Sequence, residues 1–181
     1  SGTRMNHFLR NNAVSNKDLS SWDVRKFRSE PKHFAPHLLN AGGVKPCWGL
    51  NGCASADLIP VLNSYSPTNF DVSHGSSLDL ELNFNMAVEL VNKQSNIILY
   101  KINEGNLDKI ATYNLLKSKK VSFSDDKTKI TINIGPKITD DTKYVVQIRP
   151  GSIKSSSSGA YFQGVEPEYQ KADSIWFSTG S

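Results

Sequence analysis

Residues 77–85, Ser77-Leu-Asp-Leu-Glu-Leu-Asn-Phe-Asn85, decide the fold class of this chain. In an extended chain, alternate side chains point to opposite faces, so the four apolar residues share one face and the polar ones share the other. Strict period-two alternation over this length is typical of a half-buried β-strand. We therefore expect this stretch to lie in a sheet that has one buried face and one solvated face.

Similar strands are predicted from residue 58 to the end of the chain. The predicted segments are Leu58 to Tyr65, Ile97 to Ile102, Val121 to Phe123, Ile130 to Ile134, Lys143 to Arg149 and Ser174 to Ser178. Asp125-Asp126-Lys127 predicts a hairpin turn between two of them, whereas residues 106–116 fit either a strand or a helix. Tyr144, Val146, Ile148, Ile175 and Phe177 are predicted to point inward. Short strands separated by Gly, Pro, Asn and Asp favour an antiparallel β-sandwich or barrel.

The sequence before residue 55 has a different character. It holds three of the four histidines and two of the three tryptophans, with no sustained alternation. About fifty residues with few apolar groups form a weak core alone, so this part is expected to need a packing partner. We therefore predict two domains, residues 1–54 and 55–181, and we expect the chain to be a piece of a longer protein.

Cys47 and Cys53 are the two cysteines of the chain. Six residues apart, they are compatible with a small disulfide loop worth roughly 2 kcal/mol by loop-closure entropy. Two free thiols are the alternative, while a zinc site would need further ligands. A disulfide would favour an extracellular setting.

Residues 5–49 resemble one copy of the repeat found in BspA-type bacterial surface proteins. The resemblance rests on Asp18-Leu-Ser-Ser-Trp-Asp-Val24, and residues 46–49, Pro-Cys-Trp-Gly, resemble the ending of such arrays. Ser15, Glu30 and His33 depart from the usual pattern. The resemblance implies a leucine-rich-repeat-like terminal copy with a cap, which packs on neighbouring repeats of the full-length protein. The residues implied to form the repeat core are Leu19, Trp22, Val24, Phe34 and Trp48.

Residues 58–180 resemble the bacterial immunoglobulin-like domain of S-layer proteins of the SbsA type. The matching stretches are Leu80 to Asn85, Asp125 to Ile132, Thr142 to Ile153 and Trp176 to Thr179. The resemblance implies a spacer or adhesive module without shared catalytic residues. The predicted fold class is thus mostly β, an immunoglobulin-like antiparallel β-sandwich preceded by a short irregular or helical leucine-rich-repeat-like cap.

Searches for catalytic and metal-binding motifs favour structural roles. Pro36 separates His33 from His37 and interrupts the helix that a zinc motif would need. The acidic pairs Asp125-Asp126 and Asp140-Asp141 are interpreted as turns, with a calcium site as the alternative. Trp176, like the other tryptophans, is interpreted as a packing residue, with a sugar platform as the alternative if its ring is exposed. We predict no enzymatic activity and no cofactor.

Charge and hydropathy argue against two classes of partner. The formal net charge is +4, but the lysines are scattered among acids, which is unlike the basic stripe of a nucleic-acid-binding protein. No apolar run approaches the ~20 residues of a membrane span. We expect neither nucleic-acid binding nor membrane insertion.

These features predict a non-catalytic fragment of a bacterial protein that is secreted or displayed at the cell surface, where it acts as a spacer, stalk or adhesion-related display module. An alternative is a ligand-binding module for a glycan, a host protein or another cell-surface protein. It would use the loop over residues 155–172, with Tyr161, Phe162 and Tyr169 as contact groups. A further alternative is an accessory domain of a larger secreted enzyme.

Overall fold

A computed structural model describes residues 19, 22, 24, 27, 30, 47–72, 77–91 and 95–180. The chain divides into two compact units, Ser1–Ala56 and Asp57–Ser181. The regular secondary structure described in the second unit is almost entirely β-strand. Among the described residues, the helical segments are two three-residue 3-10 turns, Ala56–Leu58 and Gly135–Lys137.

Eleven strands occur in the described part of the second unit. In chain order they are β1 (Leu62–Ser66), β2 (Asn69–Val72), β3 (Asp79–Phe84), β4 (Val88–Leu90), β5 (Asn96–Asn103), β6 (Asn106–Asn114), β7 (Val121–Phe123), β8 (Lys129–Asn133), β9 (Lys143–Ile148), β10 (Ile153–Ser155) and β11 (Ile175–Thr179). They form a four-stranded sheet with the order β1-β3-β8-β7, a five-stranded sheet with the order β2-β11-β9-β5-β6, and the small pair β10-β4.

The two larger sheets share one hydrophobic core, an arrangement consistent with a β-sandwich. Leu80, Leu82 and Phe84 of β3 lie in the same buried cluster as Tyr144 of β9 and Phe177 of β11. The Tyr144 and Phe177 rings are stacked, with their centroids 5.1 Å apart. Burying a large apolar side chain stabilises the fold by roughly 1.5–3 kcal/mol, so the alternating residues supply the main driving force for folding. The period-two interpretation of residues 77–85 is confirmed.

The outward face of the five-stranded sheet is less polar than the alternation predicts. Val145 lies between the inward residues Tyr144 and Val146, yet it is 0% exposed. Across the sheet it pairs with Trp176 on β11 and with Tyr100 on β5. The outer face of this sheet is therefore partly apolar, because large neighbouring side chains exclude water from it as well.

The chain passes from one sheet to the other between β1 and β2. β1 pairs with β3, whereas β2 lies parallel to β11, the one parallel pairing among the described strands. A cis peptide bond between Ser66 and Pro67 stands at this switch. The Tyr65 hydroxyl donates to the Trp176 carbonyl oxygen and accepts from the Trp176 N–H, both at 3.4 Å, so it links the end of β1 to β11.

Several strand boundaries differ from the sequence-based expectation. The first strand begins at Leu62 and not at Leu58, because residues 56–58 form a 3-10 turn and Pro60 follows. Residues 106–114 form the edge strand β6 and not a helix. The short strands β2, β4 and β10 were not predicted, since three or four residues are too few to show a period.

The connection between β10 and β11, residues 156–174, is held against the sheets at two places. Ile148 and Val165 form an antiparallel bridge with N–H to O distances of 3.0 and 2.8 Å. Lys154 and Tyr161 form a second bridge. Gly164 has φ +87° beside the first bridge, and a Cβ there would stand 2.5 Å from the Ile148 carbonyl oxygen.

The predicted hairpin over Asp125-Asp126-Lys127 is confirmed by the antiparallel pairing of β7 and β8. Oδ1 of Asp126 accepts hydrogen bonds from the Ser124 hydroxyl (2.6 Å), the Thr128 N–H (3.0 Å) and the Thr128 hydroxyl (2.8 Å). These bonds, led by the one from Ser124, lower the pKa of the Asp126 carboxyl to about 2. Asp126 is therefore a turn-forming residue that acts as an anion.

We predict that the stabilising effect of Asp126 is lost in acid. Its folded-state pKa lies below the ordinary value of 3.8, so its contribution is present above pH ~4 and disappears as the pH falls through about 2. Asp126→Asn should lower the melting temperature at pH 6, and this difference should shrink towards pH 2. Asp125→Asn, in the same turn, is the control and should change melting little. A constant difference between wild type and Asp126→Asn at every pH would contradict the assignment.

A pair of glycine substitutions tests how tightly the long connection is held. Gly164 and Gly159 both have positive φ, but a Cβ at Gly159 meets no atom within 4 Å. Gly159→Ala should cost about 1–2 kcal/mol of unfolding free energy, the strain of a left-handed residue alone. Gly164→Ala should cost clearly more, about 3 kcal/mol or above, because backbone atoms must move. If denaturant unfolding showed the same loss of unfolding free energy for both variants, the backbone at the Ile148–Val165 bridge would not resist the added Cβ.

Candidate functional site

Phe162, one of the three rings of the predicted binding loop, is a core residue. It is 6% exposed and packs edge-on against Phe84, with their ring centroids 5.2 Å apart. Because the bridge at Val165 draws this segment over the sandwich, the ring fills the interior. The expectation that Phe162 offers a surface contact group is therefore wrong.

Tyr161 and Tyr169 do not form a cluster with it. Tyr161 is partly buried beside Lys154, with which it forms a bridge. Tyr169 packs instead on Trp176, with centroids 5.1 Å apart and ring planes inclined by 66°. The loop hypothesis required three clustered, solvent-facing rings, and the described residues do not provide that arrangement.

A different group of rings lies on the outer face of the five-stranded sheet. Phe70 of β2 packs against Trp176 of β11, with centroids 5.3 Å apart and planes inclined by 60°. Phe70, Trp176 and Tyr169 are called the aromatic patch below. Trp176 and Tyr169 are partly buried, whereas Phe70 is 55% exposed. The patch therefore combines two supported rings with one that is largely open to solvent.

The direction of the Phe70 side chain could not be predicted from the sequence, because a bulge sets it. The register between β2 and β11 shifts between the pairs Asn69–Phe177 and Val72–Thr179. A bulge re-aims the side chains that follow it. Val72 consequently packs against the core, while Phe70, two residues earlier, contacts Trp176 on the outer face. Period-two alternation would have placed both on one face.

Polar groups lie beside the aromatic patch. Lys143 is exposed, and its Nζ stands over the Tyr169 ring, 5.5 Å from the centroid. Tyr100 lies opposite Val145 on the neighbouring strand β5, and its hydroxyl donates to Oε1 of Gln147 at 3.0 Å. This face therefore offers apolar ring surface together with a cationic donor and neutral polar groups.

A groove of about 370 Å³ lies between β1 and the segment that leads into β11. Its lining includes Leu62 and Ile175 on the apolar side and Asn63, Thr68 and Asp173 on the polar side. Two of its hydroxyls already have protein partners: Ser64 accepts from Asn83 Nδ2, and Ser174 donates to the Lys171 carbonyl oxygen. Some of the polar groups in the walls of the groove therefore already have hydrogen-bond partners within the protein.

Cys47 and Cys53 form a disulfide with Cα atoms 5.0 Å apart. Trp48, inside this loop, packs edge-on against Phe27 at 5.8 Å between centroids. The Gly49 N–H donates to the Phe27 carbonyl oxygen at 2.9 Å, so the loop is attached to the chain that precedes it.

Leu19 and Val24 of the expected repeat core are buried. Trp22 is 39% exposed, so its expected place in the repeat core is wrong in this structure. The Trp22 N–H donates to the Leu19 carbonyl oxygen at 3.0 Å. This hydrogen bond closes a turn, and turns usually lie at the surface. Phe34 lies outside the described residues.

The described residues do not support the metal-site hypotheses. No group of three or more His, Cys, Asp or Glu side chains there could hold a metal ion. The three hydrogen bonds of Asp126 occupy one oxygen in the turn for which a calcium site was the alternative, while His33 and His37 lie outside the described residues. In the same ranges, no helix is long and apolar enough to span a membrane.

Comparison with known proteins does not assign this chain to a family. No protein-family model matches the sequence, and no curated protein matches it either.

Proposed function

We propose that this chain is a non-catalytic part of a bacterial surface or secreted protein, in which an immunoglobulin-like sandwich serves as a spacer that displays its neighbours. The single observation that carries the proposal is the parallel pairing of β2, near the start of the sandwich, with β11 at its end. The fold type, the load-bearing geometry and the disulfide support it in turn.

The order of strands supports the immunoglobulin-like type. In such domains, strands A, B, E and D form one sheet and strands G, F and C form the other. Here β1-β3-β8-β7 corresponds to A-B-E-D, and β11-β9-β5 corresponds to G-F-C. β2 and β6 extend the second sheet at its two edges. Antiparallel pairing of neighbours in both sheets, with β2 as the exception, agrees with this correspondence.

Tyr144 adds a more specific support. Immunoglobulin-like domains have a tyrosine near the start of strand F whose hydroxyl hydrogen-bonds to backbone a few residues upstream. Tyr144 is the second residue of β9, the strand that corresponds to F. Its hydroxyl accepts from the Thr139 N–H at 2.9 Å and donates to the Thr139 carbonyl oxygen at 3.5 Å.

The pairing of β2 with β11 suits a domain that transmits tension. β2 lies near the start of the sandwich, β11 lies at its end, and the two run parallel. A pull that separates the ends draws the strands in opposite directions along their length, so their hydrogen bonds are loaded together and not one after another. β1 is loaded lengthwise against β3 in the same way. A spacer under load gains resistance from this arrangement.

The first unit supports the surface-protein part of the proposal. The buried Leu19 and Val24 agree with a repeat face, and the bridge between Cys47 and Cys53 favours an oxidising compartment. By the BspA resemblance, this unit would end a repeat array on which the neighbouring repeats pack. The binding partner of such an array would be a host or cell-surface protein or a glycan.

Single-molecule stretching of the full chain between marker domains tests the load-bearing role. Proline lacks the backbone donor and weakens pairing in a short strand, so Val72→Pro in β2 should raise the forced-unfolding rate. One or two ladder bonds of about 1 kcal/mol each correspond to an increase on the order of tenfold. Val121→Pro, in the edge strand β7, is the control and should reduce thermal stability with little effect on force. Equal unfolding forces for wild type and Val72→Pro would refute the load-bearing role.

Localisation tests the surface assignment. In intact cells that make the full-length protein, an antibody against residues 57–181 should label the outside or detect the protein in the medium. Added protease should remove the cell-bound signal while a cytoplasmic marker survives. Retention inside the cytoplasm would overturn the surface assignment, whatever the mechanical result.

A further inference from the structure

We propose that the aromatic patch formed by Phe70, Trp176 and Tyr169 binds a soluble oligosaccharide. The sugars that fit it best are β-linked and gluco-configured, since their equatorial substituents leave C–H groups on both faces of each ring. This binding activity is distinct from the spacer role. It uses Tyr169 of the 155–172 loop, but it does not require the three rings of that loop to form a cluster.

Trp176 gives the patch a rigid base. It is the second residue of β11, between Ile175 and Phe177, which are 1% and 0% exposed. Its backbone is paired with Val145 on one side and bonded to the Tyr65 hydroxyl on the other. A ring fixed in this way loses little conformational freedom when a ligand binds, which favours affinity.

Phe70 is the part of the patch that packing does not explain. Trp176 and Tyr169 are partly buried and lie on the face where Val145 is sheltered from water. Phe70 leaves more than half of its surface in solvent, although it stands on a strand that could bury it by facing the core. An exposed aromatic ring held against a second, fixed ring provides apolar area for a ligand.

The size of the exposed area favours a sugar over a protein. An aromatic side chain offers roughly 150–250 Å², so the exposed part of Phe70 amounts to roughly 100 Å². A stable protein interface covers about 800 Å² on each partner, and the other rings of the patch are partly buried already. A stable protein contact would therefore have to take most of its area from outside the patch, whereas a ligand of one or two sugar rings needs no larger apolar surface.

The polar surroundings suit a hydroxylated ligand. Lys143 stands over the Tyr169 ring with its ammonium group exposed, where it can donate hydrogen bonds to sugar hydroxyls. Gln147 and Tyr100 add neutral polar groups along the same face. Apolar walls with a few convergent polar groups are the usual composition of a small-ligand site.

The inclination of the rings narrows the ligand class further. Phe70 and Tyr169 are inclined by 60° and 66° to Trp176, so the three rings do not form a flat strip. A flat strip would be needed to lie on a crystalline polysaccharide. An angled set of rings instead receives a short, free chain, so we expect binding of dissolved oligosaccharides and none of crystalline cellulose or chitin.

Titration of the full chain with cellohexaose and with chitohexaose, followed by calorimetry and by ligand-observed NMR, tests this proposal. Wild type should bind at least one of them, and Phe70→Ala should weaken binding by at least tenfold. Leu116→Ala is the matched control, because Leu116 is similarly exposed at 51% and lies outside the patch. It should leave binding unchanged, and both variants should keep the wild-type melting curve within a few degrees.

Three outcomes would overturn the proposal. They are no binding of either sugar at millimolar concentration, equal binding by wild type and Phe70→Ala, and loss of binding in Leu116→Ala as well. Self-association that disappears in Phe70→Ala without sugar binding would assign the patch to protein contact instead. Should Phe70→Ala fold poorly, Lys143→Ala provides a second variant in which the rings remain and binding should still weaken. None of these results alters the force or localisation tests of the spacer role.

Discussion

The removal of one face of each large sheet from water is the constraint on which the rest of this structure depends. Leu82 of β3 and Phe177 of β11 come from different sheets, and both are fully buried in one cluster. Neither sheet could keep its apolar face in solvent at acceptable cost. The turns follow from this requirement, since each must return the chain to a strand whose alternation is in phase with the core. Asp126 does so by anchoring the β7–β8 turn through three hydrogen bonds to one oxygen.

The same constraint explains the behaviour of the chain at the start of the sandwich. β1 contributes Leu62 and Tyr65 to the core from one sheet, and β2 contributes Val72 from the other. Because the chain changes sheets between β1 and β2, one short segment pairs with a strand of each sheet. The Tyr65 hydroxyl meets the backbone of Trp176 next to the β2–β11 pairing. As a consequence, β2 near the start of the sandwich and β11 at its end are neighbours that run parallel, and the proposed load-bearing role rests on this arrangement.

The sequence predicts the elements whose alternation is long, and it fails where pairing or tertiary packing decides. β3, β8 and β9 were predicted because several apolar residues repeat with period two. β2 and β10 were not, because strands this short exist only through their partners. Phe162 was named as a contact group because it lies in a long predicted loop, although the bridge between Ile148 and Val165, distant in sequence, holds that loop against the core. The sequence identified Trp176 as a possible sugar platform but not Phe70, whose direction depends on a bulge.

The strand pair proposed to carry load and the proposed sugar site share two residues. Phe70 stands on β2 and Trp176 on β11, so their ring contact crosses the pairing that tension would shear. A sugar that contacts both rings keeps both contacts only while the two strands stay together. A ligand that binds the folded state alone stabilises it in proportion to its concentration and affinity. Under the two proposals taken together, occupancy of the aromatic patch would therefore strengthen the strand pair under load, although each proposal is tested by its own experiment.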